Sequence, residues 1–253
     1  MRPDLEFTQR PGGERLAYSR CAGRVPTVVW LCGFHSDMSG TKALAVDSWA
    51  NASNQRFLRF DYSGHGQSSG AFSDGTLSAW RADTLHVLDS VTEGPLVLVG
   101  SSMGAWIALL ATLARPERVA GLMLIAPATD FTSRLMAPQL SDAAKRELNE
   151  TGRWVRPSAY DAGGYVITQR LLVDGASHAL LDQAIPIKVP ARILQGQEDR
   201  DVPWQHALET ADRIAGTDVR LTLIKDGDHR LSRPQDLDLL IREIGQLVAD
   251  VSA

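Results

Sequence analysis

Three residues far apart in the chain, Ser102, Asp199 and His229, have the types and surroundings that nucleophilic acyl transfer needs. Residues 100–104 read Gly-Ser-Ser-Met-Gly, a G-x-S-x-G run with Ser102 at its centre and Ser101 out of register. The run follows an apolar stretch ending VLVG and opens another, MGAWIALL. A sharp strand-to-helix turn at such a place lifts a serine hydroxyl clear of a sheet. The hydroxyl is a poor nucleophile until a base takes its proton. Six histidines are present: His35, His65, His86, His178, His206 and His229. The chain order nucleophile, acid, base leaves His206 and His229. His206 falls inside a helical pattern, whereas His229 sits in the loop sequence KDGDH, so His229 is the expected base.

The base needs a carboxylate to hold its ring and stabilise the imidazolium. Glu198, Asp199 and Asp201 compete after the apolar segment ARILQ, and the register G-x-x-D-x-x-V-P over 196–203 selects Asp199. Asp201 is read as a cap for a helix starting near Pro203, and Asp130, after LMLIAP, is a second place from which an acid could come. The developing oxyanion needs two backbone N–H donors. Met103, next to the nucleophile, is one; Phe34, in the Gly33-Phe34-His35 loop after VVWLC, is the other. His35, Phe131, Leu135, Trp154 and Tyr160 are the expected substrate-pocket residues, with Met136 and Tyr165 as further apolar candidates.

The elements that must position these groups follow from periodicity. Residues 4–9 and 15–21 flank Pro11-Gly12-Gly13 and read as a hairpin. Strands are expected at 25–32, 56–61, 95–100, 119–126, 191–195 and 219–224, being short, apolar and rich in branched side chains. Helices are expected at 41–53, 76–91, 103–114, 141–151 (capped by Ser141) and 204–215, and a final helix carries the apolar stripe Leu237 to Val251. Strands alternating with helices imply a mostly parallel, twisted sheet covered on both faces, with ligands beyond the carboxyl ends of its strands. About 63 residues, 128–190, interrupt this rhythm, far more than an ordinary connection. They are read as a helical cap inserted within a single domain spanning 1–253.

At 253 residues, 44% hydrophobic and 22% charged, the composition is that of a packed globular chain. A net charge of −4 argues against a nucleic-acid partner. No run approaches the roughly 18 apolar residues of a membrane span, so no integral membrane association is expected. Cys21 and Cys32 are too few for a disulfide framework, and residues 1–20 carry no apolar targeting core, which points to the cytoplasm. The glycine-rich run 61–68 lacks a phosphate-loop register. No metal-site spacing is seen, and neither metal nor other cofactor is expected. Monomer and homodimer both fit the sequence.

The strand-elbow-helix, the Asp199 register and the late histidine together resemble the α/β-hydrolase family. A closer likeness lies in MSGTKALAVD (38–47), RFDYSGHGQSSG (59–70), VGSSMGAW (99–106), DVPWQHALETADRI (201–214) and GDHRLS (227–232). These resemble the α/β-hydrolase-domain palmitoyl-protein thioesterases, also described as acyl-glucuronide esterases. The resemblance implies an α/β-hydrolase fold and a serine hydrolase acting on small-molecule or acyl-protein esters or thioesters, with catalytic roles on Ser102, Asp199 and His229. The same scaffold also serves C–C bond hydrolases and perhydrolases, and a binding protein that has lost catalysis is the alternative of another class.

Overall fold

Apolar runs of six to eight residues punctuated by glycine-rich turns become strands, and the longer apolar runs between them become helices. A computed structural model describes residues 5–156 and 164–252. Its strands are β1 (Glu6–Gln9), β2 (Arg15–Cys21), β3 (Arg24–Leu31), β4 (Gln55–Phe60), β5 (Leu96–Ser101), β6 (Val119–Ile125), β7 (Arg153–Arg156), β8 (Tyr165–Thr168), β9 (Ala191–Gly196) and β10 (Val219–Ile224). Its α-helices are α1 (Thr41–Ala52), α2 (Leu77–Val91), α3 (Met103–Ala114), α4 (Asp142–Thr151), α5 (Gln169–Ala176), α6 (Trp204–Arg213) and α7 (Pro234–Ser252).

Eight strands join in the order β1-β2-β4-β3-β5-β6-β9-β10. The β1–β2 and β2–β4 pairs are antiparallel, and the pairs from β4 to β10 are parallel. β5 is buried along its whole length, as a strand covered on both faces must be. Helices α1 and α7 pack on each other and α2 packs on α3. Helix α3 is buried from Met103 through Thr112, on every side, which its MGAWIALLAT sequence permits because no charge interrupts it. After β3 the chain moves to one side to form β4, then crosses back to form β5 on the other side. The loops following β3 and β5 therefore face each other across a topological switch point, the place where open α/β sheets bind ligands.

The expected elements are found with small shifts at their ends. Ser141 caps α4 as expected, its Oγ accepting the Ala144 N–H at 3.1 Å. Residues 128–190 differ from the all-helical expectation. They hold a π-helical turn (Thr132–Met136), α4, the antiparallel hairpin β7–β8, and α5. The physical reason is a local change of period: Arg153-Trp154-Val155-Arg156 alternates exposed and half-buried residues, a two-residue repeat that fits a strand. Asp201 does not cap α6, whose N-cap is Pro203 without a side-chain bond.

Asp130 ties the two ends of this segment together. It is fully buried, and its carboxylate accepts the backbone N–H groups of Leu180 and Leu181 at 2.8–2.9 Å. It points at the segment's own backbone and so does not act as an alternative acid for His229. Burial raises its pKa, and the two N–H donors oppose that rise. Asp130→Ala leaves both buried donors without their acceptor and is expected to cost roughly 2–4 kcal/mol in urea unfolding, with Asp130→Asn costing less. A loss under about 0.5 kcal/mol for the alanine variant would show that this anchor is dispensable.

Candidate active site

Ser102 stands between β5 and α3 with φ 56° and ψ −118°, a left-handed conformation that L-residues avoid. Three hydrogen bonds hold it there. Its N–H donates to the Ile125 carbonyl at 2.8 Å, and its carbonyl accepts from Ala105 at 3.0 Å and Ala128 at 3.2 Å. Glycine is required on the helix side of this turn. A Cβ on Gly104 would collide with the Leu31 and Cys32 carbonyls at the end of β3.

The Ser102 hydroxyl lies 3.2 Å from His229 Nε2, and His229 Nδ1 lies 2.7 Å from Asp199 Oδ2. An ionised carboxylate only accepts, so the neutral ring carries its proton on Nδ1 and leaves Nε2 to receive the serine proton. His229 comes from the loop between β10 and α7, and Asp199 from the loop after β9. Gly227 and Gly196 let these loops pack closely, since a Cβ on Gly196 would run into the Gly227–Asp228 backbone. The Asp199 side chain is buried, and its Oδ1 accepts the N–H groups of Asp201 and Val202, both at 2.8 Å. Its Oδ2 also accepts from Gln195 Nε2 at 3.1 Å.

The loop after β3 runs over the serine. A Cβ on Gly33 would lie 3.4 Å from Ser102 Cβ. The next N–H, that of Phe34, and the N–H of Met103 at the start of α3 have no acceptor among the described residues. Asp61 holds this loop against the one after β4 by accepting from Met38 N–H at 2.7 Å and Gln67 N–H at 2.8 Å. The run 61–68 is thus structural. Phe34 packs edge-on against Phe72 (4.9 Å between centroids) and also contacts Trp80 and Phe131.

Two cavities meet at Ser102 and share Phe34, Tyr165 and His229. One, of about 410 Å³, is walled by Phe34, Ala128, Phe131, Leu135, Met136 and Val202, with Gln139, Arg156, Arg200 and Asp201 also lining it. The other, of about 330 Å³, has a mixed lining that includes His35, Ser36, Asp37, Thr41, Lys42 and Ser232. Lys42 Nζ donates to the Arg230 carbonyl, and burial pushes its pKa down to about 8.

Phe131 and Leu135 line the larger cavity, and His35 lines the other, its ring between Phe72 and Tyr165. Trp154 does not. It shares a hairpin face with Arg156, yet it packs on the apolar core while Arg156 reaches the cavity. Tyr160 lies outside the described residues. His206 is bonded to the Thr129 carbonyl at 2.7 Å, away from the serine. Gln195 was not anticipated. Its only signal was an amide beside the apolar pair Ile193-Leu194, near the end of a strand.

Ligand atoms of Asp199, Asp201 and His229 fall within 4.8 Å of one another, a spacing a cation could use. His229 Nδ1 and Asp199 Oδ2 are joined by their own hydrogen bond, and Asp199 Oδ1 by two backbone donors, which suits proton transfer better than metal ligation.

Residues 28–238 match the family described as "Alpha/beta hydrolase family". The mouse protein named "Palmitoyl-protein thioesterase ABHD10, mitochondrial" is 41% identical over 250 residues, covering 98% of this chain and 84% of the relative. The structure of mouse alpha/beta hydrolase domain-containing protein 10 superposes with a TM-score of 0.91 at 40% identity, covering 98% of this chain and 99% of that one. A crystal structure from Agrobacterium vitis S4 gives 0.93 at 42% identity over 98% and 100% of the two chains.

Beneath Phe34, the buried His65 packs edge-on against Trp80 and Phe72, and burial pushes its pKa down to about 4 from 6.5. Between those values the unfolded chain takes up a proton that the folded one refuses, so stability is lost as pH falls from about 6.5 toward 4. His206, also lowered by burial, acts in the same direction. His65→Leu should remove roughly 3 kcal/mol of that acid loss in urea unfolding at pH 7 against pH 4. An unchanged pH dependence would contradict the assignment.

Proposed function

We propose that this chain, which belongs to the alpha/beta hydrolase family, hydrolyses carboxylic esters or thioesters through an acyl-enzyme on Ser102. The observation that carries this reading is the continuous hydrogen-bonded line from Ser102 Oγ through His229 to Asp199. As Ser102 attacks the acyl carbonyl, His229 Nε2 takes its proton and Asp199 stabilises the resulting imidazolium. The N–H groups of Phe34 and Met103 receive the oxyanion, with the N-terminus of α3 adding its dipole. His229 then protonates the departing alcohol or thiol; it next takes a proton from a water that attacks the acyl carbon and returns that proton to Ser102 Oγ as the acyl–Oγ bond breaks and the acid leaves. The relatives named as palmitoyl-protein thioesterases support thioesters as well as esters among the substrates.

The two cavities divide the substrate. The apolar one takes the acyl group, because burying a chain against Phe131, Leu135 and Met136 gains transfer energy at every methylene. The other, lined by His35, Asp37, Lys42 and Ser232 among others, takes the leaving group, whether a small alcohol or thiol or the side chain of an acylated protein. Residues 128–190 act as the cap that forms the outer acyl wall, through Phe131, Leu135, Met136 and Tyr165.

Ser102→Ala is expected to lower kcat/KM for a p-nitrophenyl ester by about 10⁴-fold or more with the fold intact by circular dichroism. Turnover within about tenfold of wild type would sink the nucleophile assignment. Leu135→Trp should cut kcat/KM for decanoyl esters by about tenfold while sparing acetyl esters. A uniform loss, or none, would place the acyl chain elsewhere.

A further inference from the structure

We propose that Gln195 is a positioning residue for this reaction, its side-chain amide holding the Asp199 carboxylate so that Oδ2 faces His229. The inference rests on the Ser102–His229–Asp199 reading above and extends it by one group.

Gln195 is the penultimate residue of β9 and is fully buried. Its Nε2 lies 3.1 Å from Asp199 Oδ2 and 3.0 Å from the Val202 and Gly196 carbonyls, its two hydrogens shared among these three acceptors. All three neighbours only accept, so the surroundings dictate which end of the amide faces them. The other end, Oε1, meets no donor among the described residues. An orphaned buried acceptor is costly, and a methionine or leucine would fill the same space without it. Packing therefore does not account for an amide at this position; the bonds made by Nε2 do.

Those bonds complete the hold on Asp199. Backbone N–H groups of Asp201 and Val202 grip Oδ1 alone. A carboxylate gripped at one oxygen can still turn about its Cβ–Cγ bond. Gln195 grips the second oxygen, the one that receives the His229 Nδ1 proton. The bond from Nε2 to the Val202 carbonyl also ties the strand end to the loop that supplies the two Oδ1 donors. The imidazole ring is thereby aimed before the substrate arrives, and the carboxylate need not reorganise when the imidazolium forms.

The test compares wild type, Gln195→Met and Ser102→Ala with p-nitrophenyl acetate, counting competent sites by fluorophosphonate titration. For Gln195→Met, kcat per titrated site should fall by about tenfold, with KM within about twofold. A fall smaller than about threefold overturns the proposal, since a purely structural amide would change the number of competent sites and not their turnover. If Gln195→Met yields no folded protein, wild type alone decides. The Gln195 side-chain amide resonances should shift when fluorophosphonate modifies the serine and the His229–Asp199 bond changes, and unmoved resonances overturn the proposal. Failure of the underlying reading looks different: wild type is inactive, or Ser102→Ala remains active.

Discussion

The strained backbone of Ser102 is the constraint on which the rest of this structure depends. A residue at φ 56° and ψ −118° costs on the order of 1–3 kcal/mol. It persists because β5, β6 and α3 over-determine it. The Ile125 carbonyl takes its N–H, the N–H of Ala128 reaches its carbonyl, and Gly104 allows α3 to start against the β3 carbonyls. The outcome is a hydroxyl within reach of His229 and, on the following residue, an N–H with no acceptor among the described residues. Relaxing the turn would remove both together. The strain is thus the means by which one strand end presents the assigned nucleophile and half of the assigned oxyanion site.

The parallel sheet converts this local device into a site. Side by side, β3, β5, β6 and β9 end at the same edge, and each contributes a loop: Phe34 after β3, Ser102 after β5, Ala128 and Asp130 after β6, Asp199 after β9. The loop after β10 adds His229. None of these loops makes the arrangement alone. Asp61 fixes the first, Gln195 and two backbone donors hold the fourth, and the buried Asp130 ties the loop after β6 to Leu180 and Leu181. The second constraint is a difference in lining: Phe131, Leu135 and Met136 stand on one side of Ser102, and His35, Asp37 and Lys42 on the other.

Most of this arrangement was legible in the sequence because the relevant signals are local. G-x-S-x-G between a buried strand and an apolar helix can hardly be packed otherwise, and G-x-x-D-x-x-V-P marks a turn whose backbone donors the carboxylate needs. What could not be read depended on contacts between distant segments. Trp154 has the composition of a pocket wall, yet where it packs is decided by how β7 and β8 lie on the core. The strand character of 153–156 and 165–168 was hidden because two four-residue runs carry little periodic signal. Gln195 gave only a polar residue at a strand end. Its purpose appears when the loop it touches folds back over it, bringing Asp199 and the Val202 carbonyl within hydrogen-bonding distance.

The account stands or falls on a covalent intermediate at one residue. The most direct measurement is rapid acid quench during turnover of an activated ester, followed by proteolysis and mass spectrometry of the acylated peptide. The acyl mass should be found on the peptide containing Ser102, at that serine and at no other residue. Steady turnover with no acyl group on Ser102, or with the acyl group on another side chain, would contradict it.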